Sequence, residues 1–184
     1  MNDLAMHILD IVQNSISANA TWVEIAILIN LMRDILTIRI SDNGKGMPPE
    51  MVKRVTDPFV TSRTTRKVGL GLPLLKDSAE QSGGKLGIES TVGKGTVVEA
   101  TFGLSNIDRP PLGNIANAYV MLVTMNPDIN LALKYAVDEN EYDICTNDLK
   151  EALGDDGITP DMFKPIEGLV QNSIDELSVD KLNK

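Results

Sequence analysis

Apolar positions recur at helical spacing along the first seventeen residues. Leu4, Ile8, Ile11, Val12 and Ile16 form one stripe, which predicts an amphipathic helix over 3–17 with that stripe against a core. Asp3, His7, Asp10, Asn14 and Ser17 fall on another stripe. Asp10 and Asn14 lie one turn apart, so their side chains can converge. Ser17-Ala-Asn-Ala-Thr breaks the pattern, and the period changes to that of extended chain. Trp22–Ile29 and Ile35–Ile40 read as two strands joined by a hairpin across 30–34. Asp42-Asn-Gly-Lys-Gly46 follows as a glycine-rich turn, and Pro48-Pro49-Glu50 opens a short helix to about Val55. Residues 60–68 are polar and basic and read as a loop. Gly69-Leu-Gly-Leu72 starts a second amphipathic helix, with Leu72, Leu75 and Ala79 on its buried face, and Ser82-Gly83-Gly84 stops it. Lys85–Ser90 and Thr96–Phe102 then form a hairpin across Gly93 and Gly95.

Beyond Phe102 the pattern changes. Residues 105–113 carry Pro110, Pro111 and Gly113 and read as a linker. Ala118–Met125, Asn130–Val137 and Tyr142–Thr146 read as strands. Asn147 caps a short helix through Leu153, and Thr159-Pro160 opens a last helix to about Leu177. The division predicted is therefore a domain over 1–104, a linker over 105–113 and a small α/β unit over 114–184.

Composition sharpens that division. Residues 1–103 balance 11 acidic against 11 basic side chains, whereas 104–184 carry 15 acidic and 6 basic, the whole source of the net charge of −9. A polyanion is repelled by the second part, so nucleic acid is not an expected partner. No apolar run approaches the ~20 residues needed to span a bilayer, and the start of the chain lacks a signal-peptide pattern. The expectation is a cytoplasmic protein with no membrane partner. Cys145 stands alone, so no disulfide or thiolate metal cluster is expected.

The candidate chemistry lies in three separated elements. Asp42 ends a strand at a turn with almost no side chains behind it. Its carboxylate can accept from a flat amine, while Gly44 and Gly46 let a planar ring approach the backbone. Asp10 and Asn14 offer a carboxylate and an amide from the first helix. The free amides at Gly69-Leu70-Gly71-Leu72 suit phosphate oxygens, with Arg63, Arg66 and Lys67 just before them. There is no Walker-type loop, zinc-ligand spacing or Ser-His-Asp arrangement.

Asp10-Ile-Val-Gln-Asn14, Asp42-Asn-Gly-Lys-Gly46, Gly69-Leu-Gly-Leu72 and Gly93-Lys-Gly-Thr96, in this order, resemble the nucleotide-binding boxes of the GHKL superfamily. That group holds gyrases, heat-shock chaperone ATPases, histidine kinases, mismatch-repair ATPases and anti-sigma serine kinases. Asp57-Pro58-Phe59 is similar to the phenylalanine box of the histidine kinases. The resemblance covers roughly residues 1–103. It implies a Bergerat-type ATP-binding fold, a two-layer α/β sandwich with helices on one face of a mixed, largely antiparallel sheet. It implies ATP and Mg²⁺ as cofactors. Asp42 would bind the adenine amino group, supported by Thr96. Met47, Gly44 and Gly46 would lie against the base, and Asn14 would ligate Mg²⁺. Gly69, Leu70, Gly71 and Leu72, with Arg63 and Lys67, would receive the phosphates under a lid over 60–68. Asp10 would be the general base.

Departures from the family pattern bear on turnover more than on binding. The base position holds Asp rather than the longer Glu. Lys67 replaces a glycine of the lid-terminal box, Ser17 replaces a phosphate-contacting lysine, and the lid is short. His7, the only histidine, lies inside the nucleotide-site helix with no helical hairpin before it, so a structural or peripheral role is expected. The second unit is too short for the transducer domain of gyrases and mismatch-repair ATPases, and a protein partner is expected to dock there. Three functions follow from the resemblance: a partner-dependent regulatory ATPase, a serine/threonine kinase using Asp10, and a non-catalytic nucleotide sensor.

Overall fold

The computed structural model describes residues 3–55, 71–154 and 158–178. Helix α1, Leu4–Ser17, begins at Asp3, whose carboxylate accepts from the Met6 amide at 2.9 Å. The free amides of Leu4 and Ala5 donate to the carbonyls of Pro111 and Leu112, both at 2.9 Å. The expected linker therefore caps α1 from a hundred residues away. Asn19, with φ of 61°, ends the helix in the left-handed region that Asn tolerates.

Strands β1 (Trp22–Asn30) and β2 (Ile35–Asp42) form the expected antiparallel hairpin. Its turn closes at Asp34, also left-handed with φ of 55°. The short helix α2 spans Pro49–Val52, and α3 spans Gly71–Gln81. Strands β3 (Lys85–Thr91) and β4 (Gly95–Gly103) form the second expected hairpin, and β4 pairs with β2. The lid, the phenylalanine box and Arg63, Arg66, Lys67, Gly69 and Leu70 lie outside the described residues.

One reading of the later chain changes. The stretch expected to be a strand at 118–125 lies within helix α4, Ile115–Met125. Asn114 caps it, accepting from the Asn117 amide at 2.8 Å. Seven of its eleven residues are buried, so its apolar positions wrap the cylinder and show no helical stripe. The strands that follow α4 join the sheet already described. Strand β5, Asn130–Val137, runs parallel beside β1, and β6, Asn140–Cys145, pairs antiparallel with β5. The result is one six-stranded sheet, β3-β4-β2-β1-β5-β6. Helices α5 (Thr146–Leu153) and α6 (Phe163–Ser178) are the last among the described residues, with a 3₁₀ turn at Pro160–Met162 before α6.

Alternation along the strands sends one set of side chains into the core. Val23, Ile25, Ile27 and Ile29 of β1 are buried with Leu36, Ile38 and Ile40 of β2 and Leu131, Leu133 and Val137 of β5. Helices α1, α3, α4 and α6 pack over this sheet. Tyr119 of α4 sends its hydroxyl to the Leu131 carbonyl at 3.1 Å and the Ile144 carbonyl at 3.5 Å, tying helix to strands. The expected two-layer α/β sandwich is present. No helix among the described residues is long and apolar enough to cross a membrane.

Candidate functional site

Strand β2 ends by delivering Asp42 directly opposite Thr96, the second residue of β4. Both carboxylate oxygens of Asp42 are engaged. Oδ1 accepts from the amides of Gly44 at 2.8 Å and Thr96 at 3.2 Å, and Oδ2 accepts from the Ser15 hydroxyl at 2.7 Å. The carboxylate is thus held in one orientation by three donors from three elements.

The turn after Asp42 is anchored on both sides. Asn43 accepts from the amides of Thr21 and Trp22 at 2.9 and 3.0 Å, and its Nδ2 donates to the Thr21 hydroxyl at 2.9 Å. The Lys45 amide donates to the Ala18 carbonyl at 2.9 Å, and the Lys45 carbonyl accepts from Gly93 at 2.8 Å. Gly46 has φ of 66°, and a Cβ there would fall on the backbone of Thr91, so glycine is required twice over. The Met47 amide donates to the Ser90 hydroxyl at 2.8 Å. The Ser90 hydroxyl also reaches the Gly95 carbonyl at 3.0 Å and the Thr96 hydroxyl at 2.9 Å.

These elements surround a cavity of about 260 Å³. Asn14, Ser15 and Ser17 of α1 line it, with Asp42, Lys45, Gly46, Met47 and Thr96. Ile11, Met51, Val55, Leu72 and Val98 give it apolar walls. A slot of this size, near the lower end of the usual ~300–1,000 Å³ range for ligand pockets, fits a flat heterocycle. One fixed carboxylate on mainly apolar walls suits a ring that carries an amine.

Of the residues expected at the site, Asn14, Asp42, Gly46, Met47, Leu72 and Thr96 line this cavity. Gly44 lies behind the wall, where a Cβ would stand 3.0 Å from the Ala18 carbonyl oxygen. Asp10 and Gly71 stand together to one side. A Cβ on Gly71 would overlap Asp10 Oδ2, so the glycine lets α3 start against that carboxylate. Asp10 Oδ2 is buried and finds no hydrogen-bond partner among the described residues. His7 is buried one turn earlier, with Nδ1 also unpartnered among them. Burial lowers the His7 pKa below its usual value, against the pull of the Gly71 backbone and the Asp10 and Asp3 carboxylates.

Ser15, Asn43 and Ser90 are the site residues that sequence reasoning missed, and each left a signal. Ser15 follows Ile11 by four residues and Val12 by three, so it is a polar residue on the apolar stripe and needs a buried partner. Asn43 belongs to the turn motif itself. Ser90 sits opposite Thr96 once the second hairpin is in register.

A six-stranded mixed sheet covered by helices, with a carboxylate-floored slot beside the first helix, defines a class of small-ligand α/β sandwiches. The profile of the histidine kinase-, DNA gyrase B- and HSP90-like ATPase family matches residues 2–106, more than half of the chain, and the chain belongs to that family. Among its relatives are a protein described as an NtrY-like sensor histidine kinase of Rickettsia conorii and sporulation kinase C of Bacillus subtilis. The first is 28% identical over 108 residues, 59% of this chain and 18% of the relative. The second is 30% identical over 105 residues, 57% of this chain and 24% of the relative. This chain thus matches about a fifth of the length of those kinases. A crystal structure of the N-terminal domain of a DNA repair protein superposes with a TM-score of 0.58 at 19% identity, over 78% of this chain and 52% of that one. That likeness concerns the fold alone.

Proposed function

We propose that this chain binds Mg-ATP in the slot between α1, the glycine turn and the β3–β4 hairpin, and acts as a partner-dependent regulatory ATPase. The observation that carries the reading is Asp42, held by Gly44, Thr96 and Ser15 at the foot of an apolar slot. Its remaining acceptor capacity suits the 6-amino group of adenine, and Met47, Met51, Val55 and Leu72 would sandwich the ring. Asn14 opens on the same cavity and would give Mg²⁺ one oxygen. Mg²⁺ is usually held by one or two carboxylates plus substrate phosphates and waters, and here the Asn14 amide oxygen would take the place of a carboxylate. Bound there, the ion would neutralise phosphate charge. The helices and strands after residue 114 offer the surface on which a partner would dock.

A second reading, the non-catalytic sensor, is favoured by Asp10. Its Oδ2 faces Gly71 and takes no part in the cavity lining, and Asp is one methylene shorter than the family's Glu. A general base must come within hydrogen-bond reach of its water, directly or through one other.

Calorimetric titration with ATP, with and without Mg²⁺, tests the main reading. Wild type should bind, and Asn14→Ala should lose the Mg²⁺-dependent part of the affinity. An absence of binding by wild type ends the reading. Turnover that collapses in Asp10→Asn with binding intact favours the ATPase, and binding without turnover in wild type favours the sensor. Transfer of labelled phosphate from ATP to a protein favours the serine/threonine kinase instead.

A further inference from the structure

We propose that Ser90 is a positioning residue that sets the base preference of this slot by fixing the direction of the Thr96 hydroxyl. The inference rests on the Mg-ATP reading above.

Ser90 is on the edge strand β3 and opposite Thr96 in the ladder. Its hydroxyl has three neighbours: the Met47 amide at 2.8 Å, the Gly95 carbonyl at 3.0 Å and the Thr96 hydroxyl at 2.9 Å. A hydroxyl has one proton and two lone pairs. An amide N–H only donates, and a carbonyl only accepts. Either hydroxyl could donate in the Ser90–Thr96 contact, and the arrangement that satisfies all three neighbours sends the Ser90 proton to Gly95, gives one lone pair to the Met47 N–H and the other to the proton of Thr96. All three valences are filled in one way.

The Thr96 proton is thereby turned away from the cavity that Thr96 lines. Its lone pairs are what a ligand meets. Asp42, beside it, only accepts, and the Ser15 proton is already committed to Asp42 Oδ2 at 2.7 Å. The side-chain groups at this end of the slot therefore form an acceptor set. A purine with an amino group at its sixth position complements that set. An oxo group at that position sets lone pair against lone pair there, although the same base gains a donor at N1. Without the Ser90 hydroxyl, the Thr96 hydroxyl is free to rotate and donate to the oxo group, directly or through a water.

The test compares ATP with ITP, which differs from it in having the 6-oxo base, by titration of the full chain in Mg²⁺. Wild type should prefer ATP. Ser90→Ala should narrow the ATP-to-ITP affinity ratio by roughly three- to tenfold, about one neutral hydrogen bond. Ser90→Thr keeps the hydroxyl and should keep the wild-type ratio. If Ser90 only braces the turn, Ser90→Ala weakens both nucleotides alike, and the unchanged ratio overturns the proposal. If Ser90→Ala binds neither, Thr96→Val, which deletes the same acceptor, must narrow the ratio, and an unchanged ratio there overturns it. A wild-type chain that binds neither nucleotide sinks the ATP reading as well. A wild type that prefers ATP while the variants keep its ratio sinks this inference alone.

Discussion

Replacing Asp42 by asparagine separates recognition from folding at the slot. Asparagine keeps an oxygen where Oδ1 accepts from Gly44 at 2.8 Å and Thr96 at 3.2 Å. Its amide nitrogen takes the place of Oδ2, 2.7 Å from the Ser15 hydroxyl. Ser15 can then accept from that nitrogen and send its own proton to the Ile11 carbonyl, already 3.4 Å away. The internal hydrogen bonds survive, so the urea midpoint of the free protein should hardly move. An adenine amino group, however, now meets an amide donor. The charge-assisted bond lost is worth about 1.5–3 kcal/mol. At about 1.4 kcal/mol per decade, Asp42→Asn should bind Mg-ATP some 10- to 150-fold more weakly. Alanine is the poorer probe, because it also strips an acceptor from Ser15, Gly44 and Thr96. Titration calorimetry against wild type reads the affinity, and urea unfolding of the same samples reads the fold. Wild-type affinity in a normally folded Asp42→Asn protein would refute the assignment of Asp42 to the base.

Gly71→Ala places a methyl on the Asp10 carboxylate and should cost about 1–3 kcal/mol of stability by urea unfolding, as overpacking does. Tyr119→Phe strips a donor from the buried carbonyls of Leu131 and Ile144 and should cost about 1–2 kcal/mol in the same assay, with nucleotide affinity unchanged. For His7 the folded pKa lies below the unfolded value of about 6.5, so the unfolded chain takes up its proton first. The stability it contributes is fully present above about pH 6.5 and is lost as the pH falls below it. Urea midpoints followed downward from pH 7.5 should decline less in His7→Gln than in wild type.

Much of the first hundred residues was legible because their elements are amphipathic. One face meets the core and the other meets water or the ligand, so the periods of α1, β1, β2 and β4 survive in the letters. The glycine turn was legible for a different reason: Gly46 answers a backbone demand that no other residue meets without strain. Asp10 was harder. Helical spacing put it one turn from Asn14, but only tertiary packing shows it leaning on Gly71 while Asn14 opens on the cavity. Ser15 and Ser90 escaped because their importance is in a partner's hydrogen bond, and a single serine announces no partner. Helix α4 was misread because a helix buried around most of its circumference loses its stripe. Its capping residue Asn114, just after Gly113, was the signal that separates it from a strand.

The later chain bears on the slot through two physical links. Strand β5 lies parallel along β1 in register from Trp22 to Ile29, so it supports the strand whose beginning Asn43 grips. Parallel neighbours need a long connection, and α4 lies in it, between β4 and β5. The connection passes Pro111 and Leu112, whose carbonyls cap α1, and Gly113, with φ of 79°, where a Cβ would stand 2.6 Å from the Asp3 carboxyl carbon. The helix that presents Asn14 and Ser15 to the cavity is therefore seated at its far end by the segment leading into α4. Backbone hydrogen bonds from α1 to Pro111 and Leu112 tie it to the chain that leads into α4, and α1 also packs against α4 itself. Were a protein to dock on α4, the chain from Pro111 to Gly113 would link it to α1, the helix that the Mg-ATP proposal sets beside the nucleotide.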